Sequence, residues 1–228
     1  VLSERALRDF GDEAITQQRR GQERSLGFLF RRDERDNFLY PKSGYFLEVE
    51  PEFFIDIFGG TSDFYSVEGT VSKYWRVLGD ATLAGRVKIG SIHYYDGVTG
   101  FVPDYELFYL GGATSVRGFP SDRLHTREIQ TEDGTRRVAS GGFVKLLGNL
   151  ELRFPIYWKF GGELFLDAGQ LWPDYSSLNI LTMRYTTGIG ITFATPLGPA
   201  RVDFGRKLGP LKPHERPWVT NLALQYAF

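Results

Sequence analysis

A glycine-rich run is the first place in this sequence where residue types and spacing could do chemistry. The run 108–119 reads FYLGGATSVRGF, and backbone N–H groups in glycine-rich loops can cradle a phosphate. The common phosphate-binding loop needs the spacing GxxxxGK[ST] between a strand and a helix. This run has neither that spacing nor a strand–helix unit around it, so no nucleotide site is expected.

Other candidates for catalysis or metal binding are weaker. His93, His125 and His214 are far apart in sequence and have no partners at metal-ligand spacing. The G-x-S-x-G nucleophile motif is missing, and the absence of cysteine excludes thiolate metal sites and a cysteine nucleophile. The charged run 33–37 could hold a cation, but a solvated strand end explains it better. We therefore expect no metal, no cofactor and no enzymatic activity.

The composition indicates an all-β chain. Of 228 residues, 42% are hydrophobic and 15% aromatic, with 27 glycines and one methionine. The apolar stretches are far shorter than the ~20 residues that a membrane-spanning helix needs, which excludes a helical membrane protein. A formal net charge of −1 gives no attraction to polyanions, so nucleic acid is not an expected partner.

Period-two alternation predicts about ten strands. The clearest runs are 24–36, 44–57, 63–77, 81–95, 141–155, 160–172, 183–195, 199–208 and 218–228, with a weaker run at 1–10. Short links with turn residues, such as 196–199, alternate with longer links, such as 97–140 and 209–217. Outer-membrane barrels have short turns at one end and long loops at the other, whereas a Greek-key sandwich need not show this rhythm.

Each predicted strand has one apolar face and one polar or small face. The run 199–208 is typical, with Ala200, Val202 and Phe204 alternating with Arg201, Asp203 and Gly205. A soluble sandwich would pack the apolar faces together, whereas a membrane barrel turns them to lipid and encloses the polar faces in a lumen. Alternation alone favours the sandwich, since strands in lipid and in water share the same period.

Aromatic residues shift the prediction to the barrel. Tyr and Trp cluster at predicted strand ends, as an interfacial girdle requires: Tyr40, Trp75, Tyr94, Tyr95, Trp158, Trp172 and Trp218. The last run places Leu222, Leu224, Tyr226 and Phe228 on one apolar face, and a soluble edge strand rarely ends on so exposed a residue. We predict a transmembrane antiparallel up-and-down β-barrel.

Motifs in the second half of the chain resemble those of the outer membrane protein 85 superfamily, which includes the bacterial surface antigen family. Val116-Arg117-Gly118-Phe119, preceded by a Gly-Gly pair, resembles its sixth-loop signature. The runs 148–155, 163–169 and 188–199 resemble, in the family's order, the strands and hairpin that follow. The final run 221–228 resembles the family's β-signal, although Ala223 stands where glycine is usual.

The resemblance implies roles for particular residues. In the family, the signature arginine pairs with acids on two adjacent strands, which here correspond to Arg117 with Glu151 and Asp167. A guanidinium that grips carboxylates bidentately could hold the loop 97–140 inside the lumen against the loss of chain entropy. Carboxylates near an arginine also suit a glycosidase. Luminal salt bridging is favoured, because buried acids need partners before they need substrates.

The resemblance also implies organisation. Family barrels have about sixteen strands, so 1–228 is expected to be the C-terminal portion of such a barrel, without POTRA domains. A stand-alone barrel of about ten strands is the alternative. The β-signal and seam are expected at four positions of the last run: Asn221, Ala223, Tyr226 and Phe228.

The function implied is the insertion and folding of β-barrel proteins into the bacterial outer membrane. A weak seam beside 218–228 would accept client strands by β-augmentation. The expected partners are unfolded outer-membrane proteins, membrane lipids, and periplasmic or lipoprotein accessory subunits. A protein-secretion pore of the same superfamily, a small structural barrel and a soluble sandwich stay open as alternatives.

Overall fold

The chain folds into antiparallel β-strands, which confirms the all-β prediction. The computed structural model describes residues 24–55, 63–95, 102–131, 134–213 and 215–228, so the predicted run 1–10 and His214 lie outside the described residues. The strands are β1 (Ser25–Gly27), β2 (Phe30–Asp33), β3 (Gly44–Phe54), β4 (Phe64–Arg76), β5 (Thr82–Tyr94), β6 (Thr126–Thr131), β7 (Gly134–Ala139), β8 (Val144–Tyr157), β9 (Phe160–Trp172), β10 (Arg184–Thr195), β11 (Gly198–Leu208) and β12 (Trp218–Leu224). Single 3-10 turns cover Asp104–Glu106, Tyr175–Ser177 and Ile180–Thr182, and no helix among the described residues is long and apolar enough to cross a membrane.

One sheet contains ten of these strands, in the order β1-β3-β4-β5-β8-β9-β10-β11-β12, with β2 also pairing β3. From β3 onwards, strands that follow each other along the chain also pair in space, which is the up-and-down order predicted. The exception is the pair β6 and β7, which forms a separate hairpin. The predicted loop 97–140 is therefore a loop only in part, because 126–139 is a hairpin of its own.

The two faces of the sheet differ as the alternation predicts. Outward side chains are apolar and exposed, with Ile189 at 55% and Ile191 at 51% exposure. The opposite, inward face is buried and largely polar, and it includes Lys145, Asn149, Glu151, Arg153, Glu163, Asp167, Arg201 and Asp203. A soluble sandwich has the reverse arrangement, with apolar residues between its sheets. The sandwich alternative is therefore wrong, and the exposed face suits contact with lipid.

A contact between distant turns curls the sheet at its short-turn end. The Tyr40 hydroxyl donates a hydrogen bond to the Thr195 carbonyl at 2.7 Å and accepts one from the Thr195 amide at 3.0 Å. The Tyr40 ring also meets Tyr226 edge-on at 6.2 Å. These contacts join the turn before β3 to the turn between β10 and β11, so the ends of the meander approach each other.

The C-terminal tail leaves the sheet earlier than predicted. β12 ends at Leu224, and Gln225 has a left-handed backbone with φ 96°, which turns the last residues to the inward face. The Arg153 guanidinium lies 3.8 Å from the centre of the Tyr226 ring and donates to the Phe228 carbonyl at 3.0 Å. The predicted lipid-facing position of Tyr226 and Phe228 is therefore wrong, because a luminal arginine gives the tail cation–π and hydrogen-bond partners that lipid lacks.

Of the seven predicted girdle positions, Tyr94 and three tryptophans are exposed, Tyr40 and Tyr95 are partly buried, and Trp172 is buried. Trp75, Trp158 and Trp218 are exposed at strand ends, as interfacial residues are. Trp172 is only 4% exposed, because the chain entering β8 crosses this end of β9 and the Phe143 amide donates to the Trp172 carbonyl at 2.9 Å.

Replacing Ile189 with arginine tests which solvent the outward face meets. In water, a substitution at so exposed a position would change stability by about 0.5 kcal/mol or less. Near the middle of a bilayer, an arginine costs about 2–4 kcal/mol. We expect Ile189→Arg to lower the free energy of unfolding by that larger amount, measured by urea titration in lipid vesicles. The control Ser176→Arg, in an exposed turn, should have little effect; equally small changes in both would contradict the orientation.

Candidate functional site: the luminal arginine cluster

The described part of the long loop folds onto the inward face of the sheet. Leu110, Val116, Phe119 and Leu124 from the loop are buried together with Leu147 of β8 and Leu171 of β9. The Phe119 ring also lies between two cations, with Arg184 and Lys207 each 4.5 Å from its centre. Burial of these apolar side chains stabilises the docked loop by about 1.5–3 kcal/mol each.

Arg117 lies at the centre of this docked loop and is fully buried. Its Nε and Nη2 donate to the two carboxylate oxygens of Asp167, both at 2.8 Å, and its backbone N–H donates to the same side chain at 3.0 Å. Its Nη1 lies 2.7 Å from Glu151 and 2.8 Å from Glu163. The guanidinium also stacks 3.7 Å from the centre of the Phe165 ring. The structure thus brings the three predicted side chains into contact and adds a third acid.

The electrostatics of this arrangement favour a permanently charged arginine. Burial alone would lower the pKa of the Arg117 guanidinium, but the nearby carboxylates, chiefly Glu151 and Asp167, raise that pKa above its ordinary value. A buried ion whose partner is removed costs about 3–5 kcal/mol, because the remaining charge is left uncompensated. Undocking of the loop would therefore remove the Arg117 guanidinium from its carboxylates, which would then have to be hydrated or protonated.

Three consecutive loop carbonyls are held as well. They accept hydrogen bonds from side chains of three different strands: Ala113 from Arg201 of β11, Thr114 from Arg86 of β5 at 2.7 Å, and Ser115 from Asn149 of β8 at 2.7 Å. Backbone acceptors carry no sequence signal, so this grip could not be predicted from the chain. It distributes the attachment of the loop over much of the sheet.

The ion pairs extend beyond the predicted residues. Arg153 pairs with Glu151 at 2.5 Å. Arg201 lies 3.5 Å from Glu163 and 3.4 Å from Asp203, so it is held more loosely than Arg117. Sequence alternation already placed Arg201 and Asp203 on the polar face, and Glu163 shares the face of Asp167 four residues later. Alternation along the strands could therefore have predicted that these additional residues lie on the inward face.

Two glycines allow the signature loop to approach the wall. Gly118 has a left-handed backbone with φ 93°, which a glycine adopts without the cost of a side chain. It packs against Gly205 of β11, where an added Cβ would lie 2.5 Å from the Gly118 amide nitrogen. The close contact of loop and strand therefore requires glycine on both sides.

The remaining predicted positions form no ion pair with Arg117 and lie beside or outside the cluster. Asn221 and Ala223 of β12 pair with Asp203 and Arg201 of β11 in register, and Tyr226 and Phe228 belong to the inward tail. His93 stacks between Tyr65 and Tyr175, and His125 hydrogen-bonds Gln170. Within the described ranges no group of His, Asp and Glu is suited to hold a metal ion.

The cluster suits anchoring better than acid–base catalysis. Glu151 and Asp167 each contact at least one guanidinium at 2.8 Å or less. A glycosidase acid would instead need to face a cavity and a substrate. The arrangement can therefore fix a loop, and it offers no open position at these carboxylates.

These features define an antiparallel membrane β-sheet whose polar inward face holds its own signature loop. A family model described as the Omp85 superfamily domain matches residues 5–215. The chain belongs to the Omp85 superfamily, and the protein is an integral β-barrel protein of the outer membrane.

Relatives with known names lie in the same family. The chain is 29% identical over 206 residues to the outer membrane protein assembly factor BamA of Neisseria meningitidis serogroup B, and 27% identical over 210 residues to that of Nitratidesulfovibrio vulgaris. It is 28% identical over 197 residues to a SAM50-like protein of Schizosaccharomyces pombe. These matches cover 78%, 87% and 79% of the chain but 25%, 25% and 39% of the relatives. The chain thus spans about a quarter of the length of the two bacterial proteins.

A solved structure shows the same fold. The crystal structure of BamA from Haemophilus ducreyi lacking POTRA domains 1–3 matches with a TM-score of 0.68 and 20% identity. The match covers 87% of this chain and 42% of that one.

Removal of the Arg117 side chain tests its anchoring role. We expect Arg117→Ala to release the loop, at a cost of about 3–5 kcal/mol, so that trypsin cleaves after Arg123, a site that every variant retains, in reconstituted protein. Arg117→Lys keeps the charge but loses the bidentate grip, and should be intermediate. The control Arg127→Ala removes an exposed ion pair with Asp104 worth at most about 1 kcal/mol. A loop as protected in Arg117→Ala as in the parent would show that the arginine is not the anchor.

The glycine contact gives an independent test that leaves every charge in place. Gly205→Ala inserts a methyl group against the Gly118 backbone, and overpacking of this kind costs about 1–3 kcal/mol. Gly148→Ala is the matched control, since its Cβ would meet no atom within 4 Å. We expect faster tryptic cleavage of the loop in the first variant alone, and equal rates in both would refute the close-approach argument.

Proposed function

We propose that this protein assembles β-barrel proteins in the outer membrane by inserting and folding their strands. Its clients would be unfolded outer-membrane proteins. Its other partners would be membrane lipids and periplasmic or lipoprotein accessory subunits. Residues 1–228 would act as the C-terminal portion of the barrel domain, with 97–140 as its luminal loop. The family and the names of the bacterial relatives support this role, and the observation that carries it is the free edge of β12.

β12 is a short strand with one unpaired edge. It pairs with β11 from Arg206↔Trp218 to Ala200↔Leu224, and no other described strand pairs with it. An exposed edge offers a row of backbone N–H and C=O groups to an incoming strand. Addition of a client strand by backbone pairing needs no particular client sequence, which suits a factor with many clients.

Both ends of β12 limit the number of backbone hydrogen bonds that this edge can form. Pro210, Pro213 and Pro217 precede the strand and cannot donate to a ladder. At the other end, the turn at Gln225 takes the tail out of the sheet, so β12 has 7 residues where β11 has 11. A seam at this edge would therefore have fewer hydrogen bonds than the interior pairings.

Single-cysteine variants can test the edge directly, because the chain has no cysteine of its own. We expect Thr220→Cys on β12 to form a disulfide with a cysteine in the terminal strand of a test barrel during its folding into liposomes. Val87→Cys lies on the outward face of β5, inside the sheet, and should form none. Equal crosslinking at both positions would contradict recognition by the edge.

The rate of folding separates assembly from secretion. Purified protein in liposomes should accelerate the folding of the test barrel, followed by its shift in electrophoretic mobility without heating. A secretion pore of the same superfamily would instead give a sustained open conductance and leave the folding rate unchanged. The second result would overturn the proposal.

A further inference from the structure

A cleft of about 880 Å³ lies beside the start of β12, at the long-loop end of the sheet. Its described border comes from the end of the signature loop with the β6–β7 hairpin, from Lys207 of β11, from residues 212–213 and 215–216 of the link that follows, and from the first residues of β12. We call it the rim cleft. It shares Phe119 and Lys207 with the packing of the docked loop but contains none of the acids that pair with Arg117.

The rim cleft is lined by more cations than acids. Among the described residues, the lining contains the cations Arg123, Arg137, Lys207, Lys212 and Arg216 and two acids, Glu128 and Glu215. Both acids are already neutralised. Glu128 pairs with Arg137 at 2.5 Å, and Glu215 is gripped through both oxygens by Arg184 at 2.6 Å. The carboxylates of the lining are therefore occupied by two arginines.

The other cations have no such partner. The Lys207 ammonium donates to the Arg216 carbonyl at 2.8 Å, which carries no charge. The side chains of Arg123, Lys212 and Arg216 form no ion pair within the described residues. Burial, and then the neighbouring Arg184, lower the pKa of the Lys212 ammonium. Uncompensated positive charge in a concave site favours an anion.

The position of the cleft indicates which anion it meets. Trp218 lines the cleft and is 55% exposed at the start of β12. Exposed tryptophans at strand ends lie at the level of lipid headgroups. In outer-membrane barrels the long loops face the outside, so the cleft lies at the outer rim. Headgroup phosphates are the anions found at that depth.

We propose that the rim cleft binds the phosphorylated headgroup of an anionic lipid. Arginine suits this ligand because its planar donors match phosphate oxygens bidentately. A cleft of about 880 Å³ is in the range that encloses an organic ligand, roughly 300–1,000 Å³, so a free phosphate would leave most of it unfilled. A headgroup bound there would touch Val219 and Thr220 at the edge of β12. The site rests on the membrane position of the protein and does not depend on the assembly role.

Lipid binding by charge-removing variants tests this site. Purified protein in a non-ionic detergent is titrated with diphosphoryl lipid A, and bound lipid is counted by native mass spectrometry. The double variant Arg123→Gln/Arg216→Gln should bind at least about tenfold more weakly, because two charge-assisted contacts to phosphate are lost. The control Arg76→Gln/Arg136→Gln removes the same charge from exposed positions outside the cleft and should change binding less than about twofold. A shift in electrophoretic mobility without heating verifies that each variant is folded.

Two further measurements distinguish a lipid phosphate from a free phosphate. Lipid A without its phosphates should bind as weakly to the parent as diphosphoryl lipid A binds to the double variant. Inorganic pyrophosphate at the same phosphate concentration should not displace the lipid. Equal binding by parent and double variant, or by both forms of lipid, would overturn the site. Displacement by pyrophosphate would assign it to a soluble phosphate and overturn the lipid proposal. No client protein takes part, so a failure here is distinct from a failure of the assembly function.

Discussion

The structure depends on one buried cation. Arg117 reaches the inward face of the sheet from a loop and meets acids of β8 and β9, so it joins two adjacent strands to a segment that does not belong to the sheet. Around it, loop carbonyls accept hydrogen bonds from β5, β8 and β11. The loop therefore works as an internal brace across several strands. Because these contacts lie away from bulk water, each one matters more than it would on a surface, and none can be removed without leaving a neighbour unsatisfied.

The second constraint is the solvent on the other side of the sheet. Apolar side chains are stable in contact with lipid, whereas unpaired backbone groups are not. The outward face is therefore apolar, and the charged side chains lie on the inward face or at the ends of the strands. Among the described residues, the edge of β12 without a partner strand and the rim cleft beside its first residues lie at the same border of the molecule. The proposed headgroup and the proposed incoming strand would therefore meet there.

Much of this could be predicted from the sequence, and the misses have physical reasons. Strand positions from 44 onwards and both faces followed from alternation, because burial imposes a period of two. The contact of Arg117 with Glu151 and Asp167 was expected only from family resemblance. The β6–β7 hairpin was missed because both strands are largely polar, so no buried face imposes a period of two on them. The tail had none, since the Arg153 side chain that contacts it lies 75 positions before Phe228 in the chain.

The order of residues along the chain has a consequence for how this molecule reaches its final form. Arg117 precedes Asp167 by 50 positions. The loop therefore comes before the strands that it docks on in the order of the chain. Neighbouring strands can pair early, because each turn closes a short stretch of chain. The contact of Tyr40 with Thr195 spans 155 positions and needs the intervening strands in place. The loop must therefore wait, undocked, until β8 to β11 have formed the surface on which it comes to rest.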